Sequence, residues 1–304
     1  MEELIYHYTS MECFLNMLDT FEKNGSKEFE FWASSIFYMN DSSEFYHGYD
    51  VLIENYLPMI ENEMQLPENL RVSQTWKVAK TREKEVEFQK KFINNLMLNN
   101  ETPFIVSFSK SKEDQMLWDR YGDKGRGVCI VFKEYDYKYI PALIPKDSDV
   151  EVDRHISVFD VSYNDSLDDS CMKVLKETYQ KYSKEAKEKP DEMELFKLKL
   201  TYLSSFANVL APFIKTKDFA FENEIRLIEH ASDGKHVSYR CAKDGTLIPF
   251  LKIKVPVEAF KAVYVGSASR VELNANALQS RFRHNEALAD KCVYPSGLSK
   301  DLFR

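Results

Sequence analysis

The chain has 304 residues, of which 44% are apolar and 30% charged, and it carries a net charge of −8. This composition excludes global disorder and provides enough apolar surface for a sizeable core. With only 9 glycines, the chain is a poor match to Gly-rich phosphate-binding enzymes and to turn-dense all-β folds. The acidic balance argues against a broad, non-specific nucleic-acid surface.

The first residues and the cysteines indicate a cytoplasmic protein. Met1-Glu2-Glu3 lacks the basic and apolar regions of a signal peptide. No apolar run approaches the length needed to span a bilayer. The five cysteines are scattered and form no CxxC pair, so neither a zinc site nor a disulfide framework is indicated. We expect no membrane association.

The first half of the chain predicts alternating strands and helices. Ser10 is placed to cap one helix, and Asp41 with Glu44 forms a capping-box pattern at the start of another. Apolar periodicity predicts a strand at residues 4–8, a helix at 10–22, a strand at 29–33, a helix at 44–60, a charged helix at 69–98, a strand at 104–109, a short helix at 113–121 and a strand at 128–132.

The second half continues this mixture. The pattern predicts strands at residues 156–163, 224–228, 248–255, 262–265 and 292–294, two helices within 166–212, and one helix at 270–284 that completes a terminal β-α-β unit. Residues 133–155 are expected to be irregular. We interpret the chain as one α+β domain over residues 1–304, with a central mixed sheet and helical insertions near 44–98 and 166–212.

Two glutamates near the end of the chain are candidate catalytic residues. Glu222 and Glu224 are two residues apart, which in a strand places both carboxylates on one face. Mutual repulsion can raise the pKa of one of them. Arg226 falls on the same face and can pair with Glu224. Lys215 and Lys217 lie nearby and can compensate the charge if the preceding loop folds back. An exposed ladder of Glu and Arg side chains explains the same spacing.

His7 is a second candidate, because a histidine at a strand end can bond a ribose hydroxyl or act in acid–base chemistry. The structural alternative is a histidine that satisfies a backbone carbonyl. Asn40, Asp41 and Glu44 fit either a site or a helix cap. Trp32 is expected in the core, together with Trp118 and most other aromatic residues.

Several catalytic motifs do not occur in the sequence. There is no GxSxG elbow, HExxH motif or P-loop. A metal-dependent hydrolase or nuclease using Asp41, Glu44, Glu222 and Glu224 remains an alternative, although the usual Glu-x-Lys partner is missing and we predict no metal site. A non-catalytic interaction module is a further alternative.

Seven segments, in this order and spacing, resemble the bacterial family called domain of unknown function 2971. They are residues 6–10 (YHYTS), 32–34 (WAS), 39–45 (MNDSSEF), 106–109 (VSFS), 117–122 (LWDRYG), 125–130 (GRGVCI) and 219–227 (FAFENEIRL). This resemblance names no activity.

A second resemblance does imply an activity. A first-strand His followed by an aromatic residue and Thr, with a Glu at the start of a late strand, is similar to ADP-ribosyltransferases of the His-Tyr-Glu type. That resemblance implies a split sheet with NAD in its cleft. His7 would contact a ribose, Glu224 would be catalytic at the nicotinamide ribose, and Glu222 would orient the acceptor. Trp32, Phe37 and Tyr38 compete for the aromatic position that stacks on nicotinamide.

The resemblance extends the predicted cofactor-binding set to His7, Tyr8, Thr9, Trp32, Tyr38, Asn40 and Arg226. The expected function is that of an NAD-dependent ADP-ribosyltransferase-like enzyme, with NAD as substrate and a protein or nucleic acid as acceptor. By analogy alone, such an enzyme would act as a toxin or an anti-phage effector.

Overall fold

The computed structural model describes residues 3–39, 44–74, 102–133, 157–189, 191–230 and 237–303. Within these ranges the protein has the predicted α+β class, with ten strands in one mixed sheet. Asn40, Asp41, most of the predicted helix at 69–98 and nearly all of residues 133–155 lie outside the described residues.

The strands match the predicted ones closely, apart from one that the sequence pattern missed. They are β1 (Leu4–Thr9), β2 (Glu28–Ser35), β3 (Pro103–Ser109), β4 (Val128–Lys133), β5 (Ser157–Asp160), β6 (Glu224–His230), β7 (Ser238–Cys241), β8 (Leu247–Pro256), β9 (Phe260–Val265) and β10 (Cys292–Pro295). The missed strand is β7, whose four residues carry no apolar run. Strands β9 and β10 pair in parallel, as the predicted β-α-β unit requires.

The helices also follow the apolar periodicity. They are α1 (Met11–Lys23), α2 (Glu44–Val51), α3 (Leu57–Glu63), α4 (Gln115–Arg120), α5 (Asp169–Lys187), α6 (Glu192–Leu210) and α7 (Val271–Arg283), with a π-helical turn over Leu52–Tyr56 between α2 and α3. The Ser10 hydroxyl accepts a hydrogen bond from the Cys13 N–H and caps α1 as predicted. Phe14, Leu18 and Phe21 form its buried face.

The sheet divides at β3. Strand β6 runs along one edge of β3. The other edge is shared, because β1 pairs there through Tyr6 and Ser109, while β2 pairs through Ser34 and Ile105 at the opposite end. Strands β1 and β2 therefore diverge from each other, since each continues with a different partner, β4 for β1 and β8 for β2.

Three hydrophobic cores hold this sheet among the described residues, and the smallest packs α4 against β1 and β4. The first packs α1 and α7 against β1–β4, β6, β8 and β9. The second joins the helical segments α2, α3, α5 and α6, which reach the sheet at Ile105 and Ile228. The two predicted helical insertions thus pack on each other. No helix among the described residues is both long and apolar enough to cross a membrane.

Candidate active site

A cavity of about 790 Å³ lies at the opening between β1 and β2. This volume is within the range of about 300 to 1,000 Å³ that is usual for small-molecule and cofactor sites. The predicted site residues on its wall are His7, Tyr8, Thr9, Trp32, Tyr38, Glu222 and Glu224.

The cavity extends through the sheet. Tyr6 and His7 are consecutive residues of β1 and both line it, although consecutive strand side chains point to opposite faces. Asn16 of α1 lines it on one side, and Glu44 of α2 lines it on the other. The divergence of β1 and β2 therefore produces one space that a ligand can enter between the two half-sheets.

His7 is held in place by the backbone of β3. Its Nδ1 lies 2.9 Å from the Ser107 carbonyl oxygen, and its ring packs edge-on against Phe31 at 5.1 Å. Because a carbonyl only accepts, Nδ1 carries the proton. Burial lowers the pKa of His7, and the bond to Ser107 offsets only part of this effect. The ring is therefore neutral near pH 7, with Nε2 as its acceptor.

Five buried charged residues form a charge cluster beside the cavity. They are Glu44, Lys215, Glu222, Glu224 and Arg226. The Lys215 ammonium is at the centre of three carboxylates: it contacts Glu44, lies 2.5 Å from Glu222 and lies 3.3 Å from Glu224. Three carboxylates against two cations leave one net negative charge when all five are ionised.

Arg226 holds the carboxylates of Glu224 and Glu44 in place by hydrogen bonds. Its Nε and Nη2 donate to the two carboxylate oxygens of Glu224 at 2.7 and 2.9 Å, and Nη2 also donates to Glu44 at 2.6 Å. Nη1 donates to the Pro212 carbonyl oxygen at 2.5 Å. Arg226 is 0% exposed, so it orients Glu224 instead of contacting a cofactor directly.

The carboxylates of Glu222 and Glu224 both reach Lys215, but not by the alternation along one strand that the sequence pattern predicts. Glu222 ends a 3-10 turn, and β6 begins only at Glu224. Between them Asn223 adopts a left-handed conformation with φ of 41°, which asparagine tolerates better than most residues. This kink allows both carboxylates to reach Lys215.

The surroundings shift the pKa values of the two glutamates in opposite directions. Burial raises the pKa of Glu224, but Arg226 and Lys215 outweigh it and hold that pKa at about 2. Burial also raises the pKa of Glu222, and Lys215 offsets only part of the rise. Tyr121 donates a hydrogen bond to Glu222 at 2.7 Å. Glu224 is thus a fixed anion, whereas Glu222 is suited to exchange a proton.

The aromatic candidates occupy different environments. Trp32 was expected in the core, but it is 50% exposed, lines the cavity and stacks on Phe250 at 4.5 Å. Tyr38 also lines the cavity. Phe37 packs against Phe45 at 4.8 Å instead. Trp118 is fully buried, as predicted.

The charge cluster already holds a cation in the position that a metal ion would need. The Lys215 ammonium contacts all three carboxylates. In the described part of the chain, no group of three or more His, Cys, Asp or Glu side chains could hold a metal ion. Asp41, the remaining ligand of the hydrolase alternative, lies outside that part.

Several site residues were not predicted. Tyr121 lies directly after α4. It belongs to the segment LWDRYG, one of those that carry the family resemblance, and this segment could have indicated it. The Tyr163 hydroxyl accepts the Glu224 N–H at 2.8 Å. Arg120 and Arg240 also line the cavity, and Arg240 was missed because β7 itself was missed.

Fold and site together define an α+β protein with a divided mixed sheet and a buried charge cluster on a ligand-sized cavity. A family model described as "Protein of unknown function (DUF2971)" matches residues 117–227. That segment includes Tyr121 and four members of the charge cluster, and the match supports the resemblance found in the sequence. Glu44 and His7 lie outside it. Comparison with curated proteins and with solved structures found no match.

Proposed function

We propose that the protein is an NAD-dependent ADP-ribosyltransferase-like enzyme that breaks the nicotinamide–ribose bond in this cavity. The observation that carries the proposal is that His7 and four members of the charge cluster, from distant parts of the chain, line one cavity at the sheet opening. Tyr6 is aligned with Ser109, and Ser109 with Glu224. Two strand spacings separate β1 from β6 by about 10 Å. This register puts Tyr6 on the face of Glu224 and His7 on the opposite face, so a nicotinamide riboside would join His7 to Glu224 through the opening between β1 and β2.

The net negative charge of the cluster suits this chemistry. When the bond between C1′ and nicotinamide breaks, nicotinamide leaves with the bonding electron pair and positive charge develops on the ribose. Glu224 remains ionised because Arg226 and Lys215 lower its pKa. A carboxylate already oriented beside that charge stabilises the transition state more than the ground state.

His7 and Glu222 have complementary roles in the proposed reaction. The His7 Nε2 accepts a hydrogen bond from a ribose hydroxyl and so fixes the sugar for cleavage. The acceptor nucleophile attacks C1′ and gives up its proton. Glu222 takes this proton, since its raised pKa makes it the better base of the two glutamates.

Replacing His7 with asparagine tests the proposed NAD site. The asparagine amide can still donate to the Ser107 carbonyl, but it has no group in the place of Nε2. We expect His7→Asn to bind NAD at least about tenfold more weakly, a loss of about 1.4 kcal/mol, with a smaller loss in the free energy of unfolding than His7→Ala. Isothermal titration with NAD and urea denaturation measure the two quantities.

The wild-type protein and His7→Ala provide the controls. NAD at millimolar concentration should raise the melting temperature of the wild type. His7→Ala should be less stable than His7→Asn, because it leaves the Ser107 carbonyl unsatisfied. The proposal fails if the wild type binds no NAD at millimolar concentration, or if His7→Asn binds it with wild-type affinity.

A further inference from the structure

A second group of side chains lines the same cavity on β2 and β7. Trp32 is 50% exposed, and one side of its ring stacks on Phe250 with an interplanar angle of 21°. Its indole N–H donates to Glu30 at 3.0 Å. These contacts fix the ring and leave its exposed side to the cavity. A fixed, half-exposed tryptophan provides a stacking surface for a base.

Arg240 lies next to this ring system. Its Nη2 lies 3.2 Å from the Ser34 hydroxyl oxygen, and both residues line the cavity. Within the residues that the structure describes, Arg240 makes no ion pair with a carboxylate. A guanidinium on a cavity wall that has no carboxylate partner among the described residues is suited to bind phosphate. Ser34, which accepts from Arg240, can donate its own proton to the same phosphate.

The separation between the Trp32 ring and the Ser34–Arg240 pair matches the separation between the base and the phosphate of a nucleotide. Trp32 and Ser34 are two residues apart on β2, so their side chains lie on the same face about 7 Å apart. Ser34 is aligned with Phe250, and Phe250 with Ser238 of β7. The stacking ring and the phosphate-binding groups are therefore neighbours on one sheet face.

We propose that Trp32, Ser34 and Arg240 form a nucleoside monophosphate subsite that takes the adenylate half of NAD. Trp32 stacks on the adenine, and Arg240 with Ser34 binds its phosphate. The nicotinamide riboside half then lies between His7 and the charge cluster. The assignment of the adenylate half rests on the proposed function, whereas nucleotide binding itself does not.

Titration with AMP tests this subsite in the full-length protein. We expect Trp32→Ala and Arg240→Gln each to weaken AMP binding by about tenfold or more, the range that stacking and charged phosphate contacts support. Tyr239→Ala and Arg283→Gln are matched controls, because both residues are exposed and neither lines the cavity. Both controls should bind AMP with wild-type affinity.

The subsite and the proposed function can fail separately. If AMP binding depends on Trp32 and Arg240 but NAD is never cleaved, the subsite stands and the proposed reaction fails. If Trp32→Ala and Arg240→Gln cleave NAD with the wild-type KM, the reaction stands and the subsite is overturned. The subsite is also overturned if the wild type does not bind AMP at millimolar concentration.

Discussion

Replacing Glu224 with glutamine is expected to lower the free energy of unfolding by about 3 to 5 kcal/mol. Arg226 is 0% exposed and donates two hydrogen bonds to this carboxylate, so the substitution leaves a buried guanidinium with only part of its compensating charge. Urea denaturation of the purified variant measures the loss.

Glu28→Gln is a matched control for this prediction. Glu28 pairs with Lys254 at 3.5 Å in a partly exposed position, where an ion pair contributes about 0 to 1 kcal/mol. The double variant Glu224→Gln/Arg226→Met should be less destabilised than the sum of its single variants, since Glu44 keeps Lys215 as a partner. Equal stability of Glu224→Gln and Glu28→Gln would contradict the role of the charge cluster.

The pH dependence of stability provides an independent readout. The pKa of Glu224 falls from its ordinary value of 4.5 in the unfolded chain to about 2 in the folded protein. Its contribution is therefore complete above pH 4.5 and is lost as the pH falls towards 2. The shift corresponds to about 3 kcal/mol. Glu224→Gln should lack this part of the acid dependence.

Replacing Glu222 with glutamine is expected to slow nicotinamide release by about 100- to 10,000-fold, the range for loss of a positioned general base. Glutamine can still accept the Tyr121 hydrogen bond but cannot take a proton. NAD affinity should change by no more than a few-fold, because ground-state contacts at His7 remain. Nicotinamide release from NAD, with water as acceptor, measures the rate.

Tyr121→Phe is the control for Glu222→Gln. It removes only the hydroxyl that donates to Glu222 at 2.7 Å, so the carboxylate stays and the loss of rate should be much smaller. If Glu222→Gln cleaves NAD at the wild-type rate, the proton-accepting role is wrong, and the fixed charge of Glu224 alone would have to account for catalysis.

Helix-cap residues and apolar periodicity predicted most of the helices and strands that position the site. The Ser10 cap begins α1, and the strand pattern after Asn223 correctly starts β6 at Glu224. Lys215 and Lys217 were both named as compensating charges, because lysines so close in sequence could fold back onto the glutamates. Lys215 does so, whereas Lys217 is exposed. These successes depend on periodicity and short chain separations, which sequence patterns record.

The other features of the site could be recognised only from the tertiary structure. Glu44 joins the charge cluster from 182 residues away through Arg226, and no local pattern encodes such a contact. Trp32 was misplaced in the core, although the buried alternation of Phe29, Phe31 and Ala33 places it on the opposite face of β2. The missed β7 is a short edge strand, and Arg240 was therefore missed with it.

The most direct test of the account is a crystal structure of the protein with a non-hydrolysable NAD analogue. The account predicts the analogue in the cavity between β1 and β2, with a ribose hydroxyl within hydrogen-bond distance of His7 Nε2 and C1′ beside the charge cluster. An analogue bound elsewhere on the protein, or an empty cavity at a saturating concentration of the analogue, would contradict it.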